Sequence, residues 1–161
     1  MGTRSGDMDP AILKFIMEND GISIDEMTNI LNKKSGLLGL SERSSDMRDV
    51  QKGMREGDEK CALAFKCFVY RVRKYIGAYA AAMGGVDAVV FTAGIGENDA
   101  VIRQACVEGL DYMGIAIDPE KNSVRGGEHD ISAEGAKVRT LVIATNEELT
   151  IALDTLELVN G

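Results

Sequence analysis

The run Asp87-Ala88-Val89-Val90-Phe91-Thr92-Ala93-Gly94-Ile95-Gly96-Glu97-Asn98 constrains this chain more than any other segment. Its first half is apolar without alternation, the pattern of a parallel strand covered on both faces. Gly94 and Gly96 then remove two side chains where the backbone must turn sharply or let a ligand come close. A helix follows. In open α/β sheets ligands bind at the carboxyl ends of such strands, so this turn marks an edge where a nucleotide or phosphate would sit.

The rest of the chain is mostly helical in pattern. Asp9-Pro10 starts a helix that Gly21 ends, with Ile12, Phe15 and Ile16 on its apolar face. Ser23 and Glu26 form a capping box for a second helix striped by Met27, Ile30 and Leu31, which Lys33-Lys34-Ser35-Gly36 breaks. Ser44-Ser45-Asp46 offers caps for a third. The longest helix runs from about Asp58 to Met83, with Cys61, Phe65, Phe68, Val69, Val72, Ile76, Tyr79 and Met83 at three- and four-residue spacing. Lys60, Lys66, Arg71 and Lys74 lie off that stripe as a solvated basic face, and Gly84-Gly85 stops the helix.

Beyond Asn98, Ile102, Cys106, Leu110 and Met113 fall on one face of a further helix. A short apolar piece around Ile115 suggests a strand, and Val138 to Ile143 a second buried strand. Thr145 and Glu148 have the spacing of a capping box at the start of a last helix ending near Val159. About six helices and two firm strands result. Two strands make a poor parallel sheet, so either the domain is mostly helical or part of its sheet lies elsewhere.

Composition narrows the function classes. The 161 residues fit one domain, and 45% apolar with 27% charged residues is globular composition. A net charge of −8 argues against nucleic acid and against an anionic membrane surface as partners. No apolar run is long enough to span a bilayer, and the amino terminus lacks the apolar core of a signal peptide. Cys61, Cys67 and Cys106 form no CxxC pair and fall in helical patterns, as reduced core thiols of a cytoplasmic protein do. The single histidine, His129, reads as a solvated loop residue, which argues against a multi-histidine metal site and an intrachain Ser-His-Asp triad.

Chemistry concentrates at two strand-to-helix turns, Gly94 to Asn98 and Thr145 to Glu148. If their strands run parallel, both turns open on one edge, where helix N-termini suit phosphate. The first is neither a Walker A loop nor a complete Rossmann fingerprint, and by itself is more simply a tight αβ connection. Glu147 is placed either to hold Mg²⁺ near phosphates or to complement a helix dipole. Arg4, in a loop of small residues, would stabilise charge on a transferring phosphoryl group or simply be solvated. Arg48 would stack on a base, fork onto phosphate, or pair with Asp46.

Four segments together resemble the acetate kinase family in order and spacing. They are Met1-Gly2-Thr3-Arg4-Ser5-Gly6-Asp7, Ser44-Ser45-Asp46-Met47-Arg48-Asp49, Phe91 to Asn98, and Thr145-Asn146-Glu147-Glu148-Leu149. The resemblance implies an α/β fold of the actin/Hsp70/sugar kinase superfamily, built on ribonuclease-H-like domains. It implies Mg²⁺-dependent, reversible transfer of the ATP γ-phosphoryl group to acetate, giving acetyl phosphate and ADP, by a homodimer. Arg4 matches the family's transition-state-stabilising arginine. Asp46, Met47 and Arg48 match a segment near the adenosine; Gly94, Ile95, Gly96, Glu97 and Asn98 match the nucleotide loop. Glu147 matches the magnesium-associated glutamate.

Family members are more than twice as long. The pattern makes residues 1–161 the C-terminal nucleotide-binding portion, with an incomplete sheet and many helices. The acetate-binding arginine, the catalytic aspartate and the His-x-Gly-Asn-Gly phosphate loop would belong to the absent N-terminal half. The isolated chain is then expected to be inactive, to expose apolar surface at an open sheet edge and to self-associate. Propionate kinase, and a non-catalytic nucleotide-binding or dimerisation module, stay open as alternatives.

Overall fold

The computed structural model describes residues 2–160, so Met1 of the amino-terminal motif lies outside the described residues. The chain divides into two compact units, Met1–Val72 and Arg73–Gly161, with the division inside one long helix.

The first unit is helical. Its elements are α1 (Pro10–Asp20), α2 (Ile24–Lys33), α3 (Gly36–Ser41), α4 (Met47–Arg55) and the first half of α5 (Glu59–Met83). Local chemistry sets most of these boundaries. The Asp9 carboxylate accepts from the Ala11 N–H, and Pro10 stands at the first helical position. Ser23 and Glu26 form the expected reciprocal box, with the Glu26 N–H donating to Ser23 Oγ and the Ser23 N–H to Glu26 Oε2. The Asp58 carboxylate caps α5 by accepting from the N–H groups of Lys60 and Cys61. Met27, Leu37, Met47, Val50, Cys61, Ala64 and Val69 make the core of this unit.

The second unit holds the rest of α5, then β1 (Ala88–Phe91), α6 (Ala93–Asn98), α7 (Ala100–Val107), β2 (His129–Asp130), β3 (Arg139–Val142) and α8 (Glu147–Asn160). The strands form one sheet in the order β1-β3-β2. β1 and β3 are parallel, with Phe91 opposite Val142, and β2 is antiparallel to β3. Phe91, Ile102, Cys106, Leu110, Ile115, Ile131, Val138 and Val142 pack the core.

Several expectations change. β1 is not covered on both faces: it is an edge strand, Ala88 is exposed and Val90 is 47% exposed. The stripe Ile102, Cys106, Leu110, Met113 is not one helix. α7 ends at Val107, Gly109 takes φ 79°, and Asp111–Met113 is a single 3-10 turn. Leu110 is nevertheless buried, because the turn returns it to the same core. Around Ile115 there is no strand, only single bridges from Ile115 to Val138 and from Ile117 to Ser132. His129 is exposed as expected but belongs to β2 rather than a loop. The six-residue helices α3 and α6 have no clear sequence signal, being rich in glycine and too short to nucleate alone. The stripe of α5 is buried at Cys61 and Val69, yet Tyr79 and Met83 at its end are exposed.

The basic residues of α5 are partly engaged: Lys60 pairs with Glu42 and Arg71 with Asp7. Cys61 and Cys106 are buried free thiols and Cys67 is half-buried. Burial pushes the Cys106 thiol up to about 11, leaving it protonated and unreactive. At the open edge of the sheet Val90 is exposed, and a further apolar surface, not expected from the sequence, lies on α8. Every residue of α8 is exposed, including Leu149, Ile151, Leu153, Leu156 and Leu158. Among the described residues no helix is long and apolar enough to cross a membrane.

In β3 the Thr140 hydroxyl is fully buried with no hydrogen-bond partner among the described residues. Valine has nearly the same shape and suits a strand. Thr140→Val is expected to raise stability by about 1 kcal/mol in chemical denaturation, and a loss of stability would contradict this environment.

Candidate nucleotide site

The candidate residues fall into two groups, one in each unit. In the first, the amino-terminal segment is stitched to the helices by its backbone. Gly2 O accepts from the Leu38 N–H, Thr3 O from the Ser35 N–H, and the Ser5 N–H donates to Leu31 O. A Cβ on Gly2 would lie 2.9 Å from the Ser45 carbonyl oxygen, so only glycine lets the segment pass this closely. The Arg4 loop is thus held beside the residue preceding Asp46. Arg4 itself is exposed and makes no ion pair among the described residues.

Asp46 caps α4 by accepting from the Arg48 N–H at 2.8 Å, and its carboxylate takes a two-pronged bond from the Arg48 guanidinium. Ser44 fixes this corner, accepting from the Asp46 N–H and donating to Asp49. The side-chain bonds from Arg48, then its backbone N–H, hold the Asp46 carboxyl at about 2. A lowered carboxyl favours the folded state above its ordinary value of 3.8, and that contribution disappears as pH falls through about 2. Arg48 remains 88% exposed, with its fork taken and its flat face open. Met47 differs from its neighbours: it is 3% exposed and belongs to the core.

In the second unit, Gly94 to Asn98 form α6 rather than an open loop. Ala93 enters it at φ 57°, a left-handed conformation unusual for alanine, and Thr92 gives no side-chain cap. Gly96 is favoured by packing, since a Cβ there would sit 3.2 Å from the Phe91 carbonyl carbon, tighter than ordinary contact. Gly94 is different: its φ is not positive, and a Cβ there would meet nothing within 4 Å. The Asn98 amide bonds back to Gly94 O.

Arg103, on α7, holds this short helix in place. It is completely buried, and all five of its N–H groups meet an oxygen. Nε donates to Asn122 Oδ1; Nη1 to the carbonyls of Gly96 and Glu97; Nη2 to those of Asn122 and Val124. Burial lowers the Arg103 pKa, and Asp99 acts in the opposite sense. Sequence reading passed over this residue, because an arginine between Ile102 and Cys106 on an amphipathic helix looks like any solvated charge.

At the second turn the expected Thr145/Glu148 capping box is absent. Asn146 is the cap, its Oδ1 accepting from the Leu149 N–H at 3.1 Å. Thr145 turns instead to the first turn, where its N–H and hydroxyl both donate to Glu97 Oε1, at 2.8 and 3.2 Å. Since β1 and β3 are parallel, the two turns open on one sheet edge. Glu147 is exposed. No group of three or more metal-ligating side chains occurs among the described residues. A cavity of about 550 Å³ lies elsewhere in this unit, lined by Gly77, Ala80, Tyr112, Met113 and Lys137 among others, and by none of the candidate residues.

The Acetokinase family model matches residues 1–153. The chain belongs to the acetokinase family. It is 56% identical over all 161 residues to the acetate kinase of Moorella thermoacetica and 58% to that of Acetivibrio thermocellus, spanning 41% and 40% of their lengths. Among solved structures, the acetate kinase of Porphyromonas gingivalis is 46% identical with a TM-score of 0.92, over 99% of this chain and 40% of that one. A propionate kinase from Francisella tularensis is 45% identical with a TM-score of 0.86, over 94% of this chain and 38% of that one. The fold is accordingly that of the actin/Hsp70/sugar kinase group, here helix-rich with a three-stranded sheet. The acetokinase chain thus spans about two fifths of the relatives it matches.

Carboxyl-carbon NMR titration of Arg48→Ala is expected to move the Asp46 midpoint from about 2 part of the way toward 3.8, since the backbone bond from residue 48 survives. Arg103→Met strands the carbonyls of Gly96, Asn122 and Val124 and is expected to cost at least about 3 kcal/mol in urea unfolding. Arg103→Lys, with three donors on a point charge, is expected to restore only part of that.

Proposed function

We propose that this chain is the C-terminal, nucleotide-binding share of a phosphotransferase that moves the ATP γ-phosphoryl group reversibly to acetate as a homodimer. One observation carries the reading: the parallel pair β1/β3 opens its two turns, with Gly94–Asn98 on one and Glu147 on the other, on a single edge. Gly94 supports it further. Neither packing nor backbone conformation needs glycine there, which leaves the space that an approaching phosphate group requires.

In this reading Gly94, Ile95, Gly96, Glu97 and Asn98 receive the nucleotide phosphates. Asp46, Met47 and Arg48 form the adenosine segment, with Asp46 orienting the Arg48 face for stacking and buried Met47 supporting the turn. Arg4 stabilises charge on the transferring group by electrostatic positioning. Glu147 fits a magnesium ion held chiefly by phosphate oxygens and water, since it is an exposed carboxylate that belongs to no cluster of three or more metal-ligating side chains among the described residues. When bound, the ion supplies neutralisation of phosphate charge. The remaining work is positioning by the chain's own groups.

The similarity to a propionate kinase structure keeps propionate as a second acyl acceptor in the reading. Rates on acetate and propionate with a protein of the relatives' full length decide between them.

Calorimetry of MgATP with the 161-residue chain is expected to show binding heat that Arg48→Ala abolishes. The same chain is expected to yield no hydroxamate-trappable acetyl phosphate above a blank. Absence of heat in the unmodified chain would favour a non-catalytic interaction module. Sedimentation as a monodisperse monomer would count against the homodimer.

A further inference from the structure

Glu97 lies in the candidate nucleotide segment, yet its carboxylate is turned to another task. Oε1 accepts both the N–H and the hydroxyl of Thr145, 48 residues away. Its own backbone is anchored first, because Glu97 O accepts from Arg103 Nη1 and from the Gly126 N–H. A fixed carboxylate therefore reaches across to the turn that carries Glu147. That turn has little else to hold it. Residues 144–160 are exposed throughout, so no buried apolar face of α8 locks the register of its start. Thr145 immediately precedes the Asn146 cap and stands two residues before Glu147.

We propose that Glu97 is a positioning residue: its side chain latches the nucleotide turn to the metal turn and so couples nucleotide affinity to Mg²⁺. The inference rests on the reading of these turns as the phosphate and metal sides of one site, and extends it by giving the Glu97 side chain a task separate from its backbone's place in the phosphate turn. An unlatched Thr145 lets the start of α8 move relative to α6, and Glu147 with it. Coupling between the two ligands is reciprocal, so it is measurable from either side.

The test is ADP binding to the 161-residue chain by calorimetry, with and without Mg²⁺. The ratio of the two affinities is compared in the unmodified chain, Glu97→Ala and Glu97→Gln. Glutamine keeps a carbonyl oxygen for both Thr145 donors but loses the charge. The expected result is a Mg²⁺ enhancement that falls by about tenfold in Glu97→Ala and largely survives in Glu97→Gln. Amide hydrogen exchange at Thr145 is expected to accelerate in Glu97→Ala only. Equal loss in both variants would mean that charge, not the latch, matters, and would overturn the inference. An unchanged enhancement in Glu97→Ala, with ADP binding intact in the unmodified chain, would overturn the latch alone. An unmodified chain that binds no ADP would overturn the nucleotide reading and the inference together.

Discussion

The second unit depends on the burial of one guanidinium. Arg103 is wholly inside the protein, and its acceptors are neutral dipoles: four backbone carbonyls and the Asn122 amide oxygen. An unsolvated cation is costly, and an incompletely bonded one more so. Only an arrangement that brings Gly96, Glu97, Asn122 and Val124 around α7 at once satisfies all five donors. The cation therefore selects a single placement for segments with little order of their own. α6 has six residues, no side-chain cap, no buried residue and a left-handed alanine at its start. Its shape is dictated from below by Arg103 and not by its own propensity.

From that anchor the remainder of the edge follows. Glu97, fixed through its carbonyl, extends its carboxylate to Thr145, and the turn after β3 is drawn beside the turn after β1. The parallel pairing of β1 and β3 sets the two chain directions, and the polar bonds set the separation. In the first unit the same logic runs on a smaller scale. Gly2 admits the amino-terminal segment against Ser45, and Ser44 and Asp46 fasten the corner that displays Arg48. Rigid backbone, bonded from behind, presents exposed side chains in each unit. Such support is what precise positioning of a bound ligand requires.

The features legible in the sequence were those decided within a few residues. The Ser23/Glu26 box and the Asp9-Pro10 start depend on a side chain reaching a nearby N–H, whereas Ser44, Ser45 and Asp46 were equal candidates until the structure chose Asp46. Where two neighbours competed for a similar role, local rules chose wrongly: Thr145 has capping chemistry, but a distant carboxylate claims it and Asn146 takes the cap. Leu110 shows the same limit for apolar periodicity. Its spacing announces burial correctly, yet Gly109 breaks the helix that the spacing implies. β1 shows it for strands, since an unbroken apolar run says nothing of whether an element exists to cover its second face.

The sequence by itself determined the helices with strong caps or long stripes, the two principal strands and, through four motifs in register, the acetokinase family. Those signals are local or carried by residue identity, which needs no coordinates. Only the tertiary structure decided that β1 is an edge strand, that Arg103 is the buried support of the Gly94–Asn98 segment, and that Glu97 reaches Thr145. Each of these joins residues far apart in the chain. A charge at a helical position reads the same whether it meets water or five oxygens, and only the packing of distant segments distinguishes the two.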